Sequence, residues 1–307
     1  CAEHLDFFAP HVDCGQKWSV RVGHGHPSIL RRAAFDCLEA RPDDCPRAAA
    51  EASSGLARCG NRAMSEAPPR VKDMNSEATH WSNLVGVFDL ETTGVEVESD
   101  RIVTAHVGVL DAAGTAVRAH DWLADPGIAI PDGASTVHGI TTERARAEGR
   151  MAVEVVAEVT ATLRELFAAG IPVVAFNAPY DFSLLKYECL RHGIEPIAQP
   201  SPVIDPLVVD KSFDRYRKGK RTLDAVAAHY AVALDDAHEA SADAIAAGRV
   251  AQAIAVRFAT QLPASIDELH TQQIGWARDQ AASLTEYFIK VGRLAPDETL
   301  DGSWPIR

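Results

Sequence analysis

The stretch LVGVFDLETTG, residues 84–94, constrains the fold more than any other part of the chain. It is an apolar run that ends in two carboxylates and a turn, and it reads as a buried strand. Side chains alternate along a strand, so Asp89 and Glu91 share one face while Leu90 points to the other.

The elements that follow supply cover for such a strand. IVTAHVGVLD (102–111) and TAVRAHDWLA (115–124) read as two more strands, joined into a hairpin by the Ala113-Gly114 turn. MAVEVVAEVTATLRELFAA (151–169) has helical apolar spacing and is stopped by Gly170 and Pro172. PVVAF (172–176) reads as a fourth strand, YDFSLLKYECLRH (180–192) as an amphipathic helix, and PVID (202–205) as a short fifth strand. RTLDAVAAHY (221–230), HEASADAIAAGRVAQAIAVRF (238–258) and a last stretch, about 264–292, read as helices. This order predicts an α/β fold, a mixed five-stranded sheet flanked by helices.

Residues 1–75 show no sustained period. The expectation is an N-terminal extension without stable structure or chemistry, lying upstream of the functional start. Five of the six cysteines fall there: Cys1, Cys14, Cys37, Cys45 and Cys59. A disulfide framework would accompany an export signal, and Cys1 to Pro10 has no basic region followed by an apolar core. Cys1, His4, His11, Cys14, His24 and His26 could assemble a zinc site, but their spacing matches no familiar ligand pattern; a poorly ordered leader is the other reading. The expected organisation is thus the extension, a folded domain over 80–260, and a helical C-terminal tail over 261–307.

Hydrophobic residues make up 47% and charged residues 24%, which excludes a wholly disordered or collagen-like chain. No apolar run reaches the ~18 residues of a membrane helix, so the expectation is a cytoplasmic protein with no membrane contact. The net charge is -13, and all of the acidic excess lies beyond residue 74. Such a surface repels nucleic acid, so a nucleic-acid substrate would need local basic patches or bound cations.

Asp89 and Glu91 side by side repel unless a cation lies between them, and hard divalent cations take oxygen ligands. The bland alternative is a solvated strand end. Asp181 opens a helix at the C-terminal end of the PVVAF strand, where open sheets bind ligands; it could equally be an acid placed to favour the helix dipole. His238 and Asp243 are five apart, so they share a site only if His238 lies at or before its helix start. A neutral histidine there is suited to accept a proton from an attacking water, and a surface or capping histidine is the other reading.

Together FDLETTG, NAPYDF and HEASAD resemble the three exonuclease motifs of the DEDDh family, which includes proofreading epsilon subunits, ribonuclease T and oligoribonucleases. VHGIT (137–141) resembles a segment that follows the third strand in many members. The resemblance covers about residues 84–258. It implies a ribonuclease-H-like fold and a 3′–5′ exonuclease that releases nucleoside 5′-monophosphates. It implies two divalent cations, Mg or Mn, held by Asp89, Glu91 and Asp243, with Asp181 completing the acidic cluster and His238 as general base. It also places Thr92 and the backbone around Leu90 at the terminal nucleotide, with His138 and Ile140 as weaker contacts. Two positions depart from the commonest pattern, Phe176 for His and Tyr180 for Phe, and neither removes a ligand.

RYRKGKR, residues 215–221, is a cationic loop in an acidic domain. Arg217, Lys218 and Lys220 are its candidate phosphate contacts, with Tyr216 available for stacking; an ordinary solvated loop is the alternative. The implied partner is a nucleic-acid 3′ end, single-stranded and DNA rather than RNA in the preferred reading. An epsilon-like subunit bound to a DNA polymerase or clamp is the rival. The amphipathic segment 261–288 contains no clear glutamine–aliphatic–aromatic clamp peptide, which favours a stand-alone nuclease. A dead exonuclease fold serving as a nucleic-acid-binding scaffold would lack site residues, and all five are present.

Overall fold

A computed structural model describes residues 80–234 and 238–307. The extension over residues 1–75, its cysteines and the histidine–cysteine zinc reading lie outside the described residues. Among those described, a six-stranded sheet has the order β4-β3-β2-β1-β5-β6. Its strands are β1 (Leu84–Thr92), β2 (Ile102–Asp111), β3 (Ala116–Asp125), β4 (Arg150–Met151), β5 (Val173–Val174) and β6 (Val203–Ile204). β1, β2 and β3 run antiparallel, β5 and β6 extend the sheet parallel to β1, and β4 lies parallel to β3 at the far edge.

The helices are α1 (Asp132–His138), α2 (Thr142–Glu148), α3 (Ala152–Ala168), α4 (Ala178–Arg191), α5 (Pro206–Phe213), α6 (Leu223–His229), α7 (Ala240–Arg257) and α8 (Ile266–Lys290). They cover the sheet on both faces. One core joins Phe88 and Leu90 of β1 to Val155, Val159 and Leu163 of α3 and to Phe182 and Leu185 of α4. The other joins Val85 and Val87 to Ala244, Ala247, Val250 and Ile254 of α7. Alternation along β1 therefore feeds two cores, which is why the strand reads as a nearly continuous apolar run.

The structure adds a sixth strand to the expected five. It is only two residues long and stands where the sequence reads as the beginning of α3. Three helices were not anticipated. α1 is seven residues of DGASTVH, whose Gly, Ser, Thr and Val carry little helical propensity. α2 is equally short and buries a single residue, so no apolar stripe shows, though Thr141 caps it by accepting from the Arg144 amide at 3.2 Å. α5 follows directly on β6, so its Leu207-Val208-Val209 resembles a continuing strand; Asp205 as N-cap and Pro206 in the first turn mark the change.

The segment expected as a tail is docked on the same body. α8 packs on α5 and β6, Leu269 belongs to the second core, and Trp304 is buried in the first.

α7 lies close against the sheet because residue 248 is glycine. A Cβ there would sit 2.5 Å from Val87 Cγ1 and 2.6 Å from Leu110 Cδ1. In an exposed helix, Gly→Ala gains about 1 kcal/mol from propensity. Here overpacking, typically ~1–3 kcal/mol, opposes it. Gly248→Ala should therefore destabilise the protein in urea denaturation; a stabilised variant would show that the contact yields without cost.

Candidate active site

The acidic residues meet because of how α7 crosses β1. Gly248 sits over Val87, in the middle of the strand. Going back five residues along the helix covers roughly 7.5 Å at 1.5 Å per residue. Going forward from Val87 to Asp89 and Glu91 covers roughly 7–14 Å of strand. The first turn of α7, which carries Asp243, thus arrives over the C-terminal end of β1. Carboxylate oxygens of Asp89, Glu91 and Asp243 all lie within 4.8 Å of one another, and the three residues are half-buried. Burial is the main cause raising the Asp243 pKa above the ordinary carboxylate value, partly offset by the His238 amide. Three acids at this separation, one of them resisting ionisation, form an oxygen donor set suited to hard divalent cations.

Asp181 arrives from the neighbouring strand. β5 is parallel to β1, with Gly86 opposite Val173 and Val87 opposite Val174, so both strands end on the same side of the sheet. After β5 the chain turns through Asn177, in the left-handed region at φ 64°, and enters α4. Asp181 lies in the first turn, almost fully buried. It is not one of the three acids within 4.8 Å of one another.

His238 lies in the turn before α7, which meets the condition the sequence set for sharing a site with Asp243. It is exposed, its φ is 74°, and its amide lies 3.4 Å from Asp243 Oδ1. Non-glycine residues with positive φ are uncommon, histidine being among those enriched there.

The residues expected near a terminal nucleotide divide. The Leu90 side chain is buried in the first core and the residue is almost wholly covered. The Thr92 hydroxyl is turned inward: it donates to the Gly94 carbonyl at 2.7 Å and lies 2.5 Å from the Tyr180 hydroxyl, which also donates to Gly94 at 2.6 Å. Ile140 is buried with Val103, Ile130 and Ala145, so packing accounts for its side chain. His138 ends α1, is buried beside the Thr92 backbone, and accepts from the Ile140 amide through Nδ1 at 3.2 Å. Burial lowers its pKa, which leaves its ring neutral at pH 7.

The cationic loop also divides, with Arg217 set apart from its neighbours by burial. Its side chain is about nine-tenths buried and its guanidinium donates to Asp210 Oδ2 at 2.7 Å. Arg221 donates to the same carboxylate and Tyr230 donates to Asp210 Oδ1 at 2.9 Å. A buried acid thus holds both arginines, and Arg217 is engaged within the loop. Arg215, Tyr216, Lys218 and Lys220 stay exposed.

Two residues that sequence reasoning passed over shape the site. Tyr180 was noted only as a departure from Phe, yet its hydroxyl ties α4 to the turn after β1. Asp205 was read as part of a strand. Its carboxylate accepts from the amides of Asn177 (3.1 Å), Ala178 (3.0 Å) and Leu207 (3.0 Å). The Asp-Pro pair at a strand end was the available signal.

Residues 87–251 match the RNase_T family, described as exonuclease. DNA polymerase III of the PolC type from Pediococcus pentosaceus is 29% identical over 164 residues, 53% of this chain and 11% of that protein. Its counterpart from Lacticaseibacillus paracasei is 30% identical over 169 residues, 55% of this chain and 11% of that protein. The chain thus matches only a small part of these relatives' length. Among solved structures, exonuclease I superposes with a TM-score of 0.51 at 20% identity, covering 62% of this chain and 43% of that one. E. coli exonuclease I in complex with a dT13 oligonucleotide gives 0.50 at 19% identity, covering 58% and 42%. These likenesses are of fold.

Two expected outcomes follow from the geometry. In metal-free buffer Asp243→Asn should melt a few degrees above wild type, because it removes a half-buried charge facing two others. Mn²⁺ should raise the wild-type melting temperature and leave the variant's nearly unmoved; equal shifts would place the ion elsewhere. In the loop, Arg217→Ala should cost stability, up to the ~3–5 kcal/mol of a broken buried pair. Lys218→Ala with Lys220→Ala should stay within about 0.5 kcal/mol of wild type and lower the salt dependence of strand binding by ~0.7 log units per lost contact. The reverse pattern, read by denaturation and by binding at several salt concentrations, would mark Arg217 as a substrate contact.

Proposed function

We propose that this chain, which belongs to the RNase_T exonuclease family, is a 3′–5′ exonuclease that uses Mg or Mn to release nucleoside 5′-monophosphates from single-stranded DNA. The observation that carries the proposal is the meeting of Asp89, Glu91 and Asp243 from a strand end and a helix start, all within the residues that match the family. Asp89, Glu91 and Asp243 would hold the cations, with Asp181 completing the acidic cluster. Bound there, divalent cations supply Lewis-acid stabilisation of the charge that develops on phosphate. The chain's own residues do the rest. His238, exposed at the rim, accepts at its imidazole the proton released by the attacking water. The turn from Thr92 to Gly94, fixed by Tyr180, presents backbone toward the terminal nucleotide. Lys218 and Lys220 hold the strand's phosphates against the repulsion of an acidic domain. Single-stranded DNA is the first substrate to test because exonuclease I, which shares the fold, is solved with dT13. The cytoplasmic placement read from the sequence belongs to the same proposal.

A proofreading role beside a polymerase is the second reading, favoured by the PolC-type relatives. It is tested by whether the protein co-migrates with the replicative polymerase or its clamp.

The test of the main reading uses one oligonucleotide labelled at either end, as DNA and as RNA. With Mg or Mn, the 3′-labelled strand should release labelled mononucleotide at once and the 5′-labelled strand should shorten stepwise. EDTA should stop both. Cleavage that ignores EDTA, or that starts at the 5′ end, would defeat the proposal. His238→Ala should lose ~10²–10⁴-fold in rate while binding Mn²⁺ as wild type does; an unchanged rate would remove His238 as the base.

A further inference from the structure

We propose that Gln273, on α8 and beyond the residues that match the family, is a positioning residue of the acidic site. Through Asp205 it fixes the turn that carries Asp181. The inference rests on the functional reading above, since that reading gives Asp181 its purpose.

Gln273 is fully buried and its amide is engaged at both ends. Nε2 donates to the carbonyls of Val203 (3.0 Å) and Leu269 (3.2 Å), and Oε1 accepts from the Asp205 amide at 2.7 Å. A buried amide is costly unless it is bonded, and once bonded it admits few alternative geometries. Gln273 therefore clamps the outer edge of the β6 end, one bond on either side of Ile204. The next residue held is Asp205. Its carboxylate is buried and takes the amides of Asn177 and Ala178, one on each oxygen. Burial raises its pKa and these amide bonds pull it back, so the carboxylate is tied to the bonds it accepts.

Those two amides lie at the start of α4. Asn177 takes the left-handed region, which asparagine tolerates better than most non-glycine residues. Asp205 fixes that turn from outside with two bonds. Asp181 follows within the same turn of helix. The C-terminal residues reach α4 as well: the Arg307 amide donates to the buried Ser183 hydroxyl at 2.8 Å. Unbroken hydrogen bonds thus run from α8 to the backbone that aims Asp181, and the segment expected as a tail is part of the site's framework.

The test compares three changes in the full chain. Gln273→Met keeps side-chain volume and removes the amide. Asp205→Asn breaks the next link independently, so either variant that folds decides the question. Gln280→Met is the control: Gln280 is on the same helix but bonds the Val208 carbonyl (2.9 Å) and the Ser212 hydroxyl (3.0 Å), away from Asp205. The readouts are Mn²⁺ binding by calorimetry without substrate, and amide hydrogen exchange at Asn177 and Ala178, both well below each melting temperature. Loss of a group that orients metal ligands typically costs ~10–100-fold in metal affinity, so Gln273→Met and Asp205→Asn should weaken Mn²⁺ about 10-fold or more and speed exchange at both amides. Gln280→Met should lower the melting temperature and leave both readouts at the wild-type level. If Gln273→Met and Asp205→Asn lower only the melting temperature, as the control does, Gln273 is a packing residue and the inference is wrong. A wild-type protein that binds Mn²⁺ without degrading any strand would sink the exonuclease reading instead, leaving the two readouts to judge Gln273.

Discussion

The structure depends on holding like charges together. Asp89, Glu91 and Asp243 carry oxygens within 4.8 Å of one another, at a place where burial already disfavours ionisation of Asp243. Strand alternation pairs Asp89 with Glu91, but nothing local brings Asp243 to them. The approach is imposed by apolar packing elsewhere: the face of α7 carrying Ala244, Ala247, Val250 and Ile254 buries against Val85 and Val87, with Gly248 allowing close contact. Hydrophobic burial, worth about 25 cal/mol per Å², thereby supports an arrangement that electrostatics opposes. A cation relieves that opposition, so geometry that sets the acids against one another also suits an ion between them.

Rigidity around the cluster comes from polar groups that are buried and bonded. Tyr180 links the start of α4 to the turn after β1, and Asp205 links it to the end of β6. Asp210 gathers Arg217, Arg221 and Tyr230 and so holds the cationic loop in shape. Tyr180 and Asp205 join segments distant in sequence, whereas Asp210 gathers residues of its own neighbourhood. His238 at the helix start, and Lys218 and Lys220 on the loop, stay exposed.

How much of this was legible in the sequence depends on the range of the cause. Strands β1 to β3 and helices α3, α4, α7 and α8 announce themselves through local periodicity, because each buries a regular face. The pairing of Asp89 with Glu91 follows from strand alternation alone. The meeting of those two with Asp243 does not; it was reached through a motif resemblance, and the structure supplies the packing reason. α1 and α2 escaped because each buries a single residue and shows no apolar stripe, unlike the equally short α6, and α5 continues the apolar run of β6. The burial of Arg217 was not legible, because composition counts a guanidinium as a surface cation, whereas its place is set by Asp210, seven residues back and buried. Gln273 gave no signal at all: a glutamine within an amphipathic helix looks solvated until the strand end it reaches is known.

The central claim is that the carboxylates at the end of β1 and the start of α7 form a divalent-cation seat. Crystals grown with Mn²⁺ and measured at its absorption edge test this most directly. Anomalous density bounded by Asp89, Glu91 and Asp243 is expected, and its loss in Asp243→Asn crystals. Well-ordered carboxylates with no anomalous density among them, or density that persists unchanged in the variant, would contradict it.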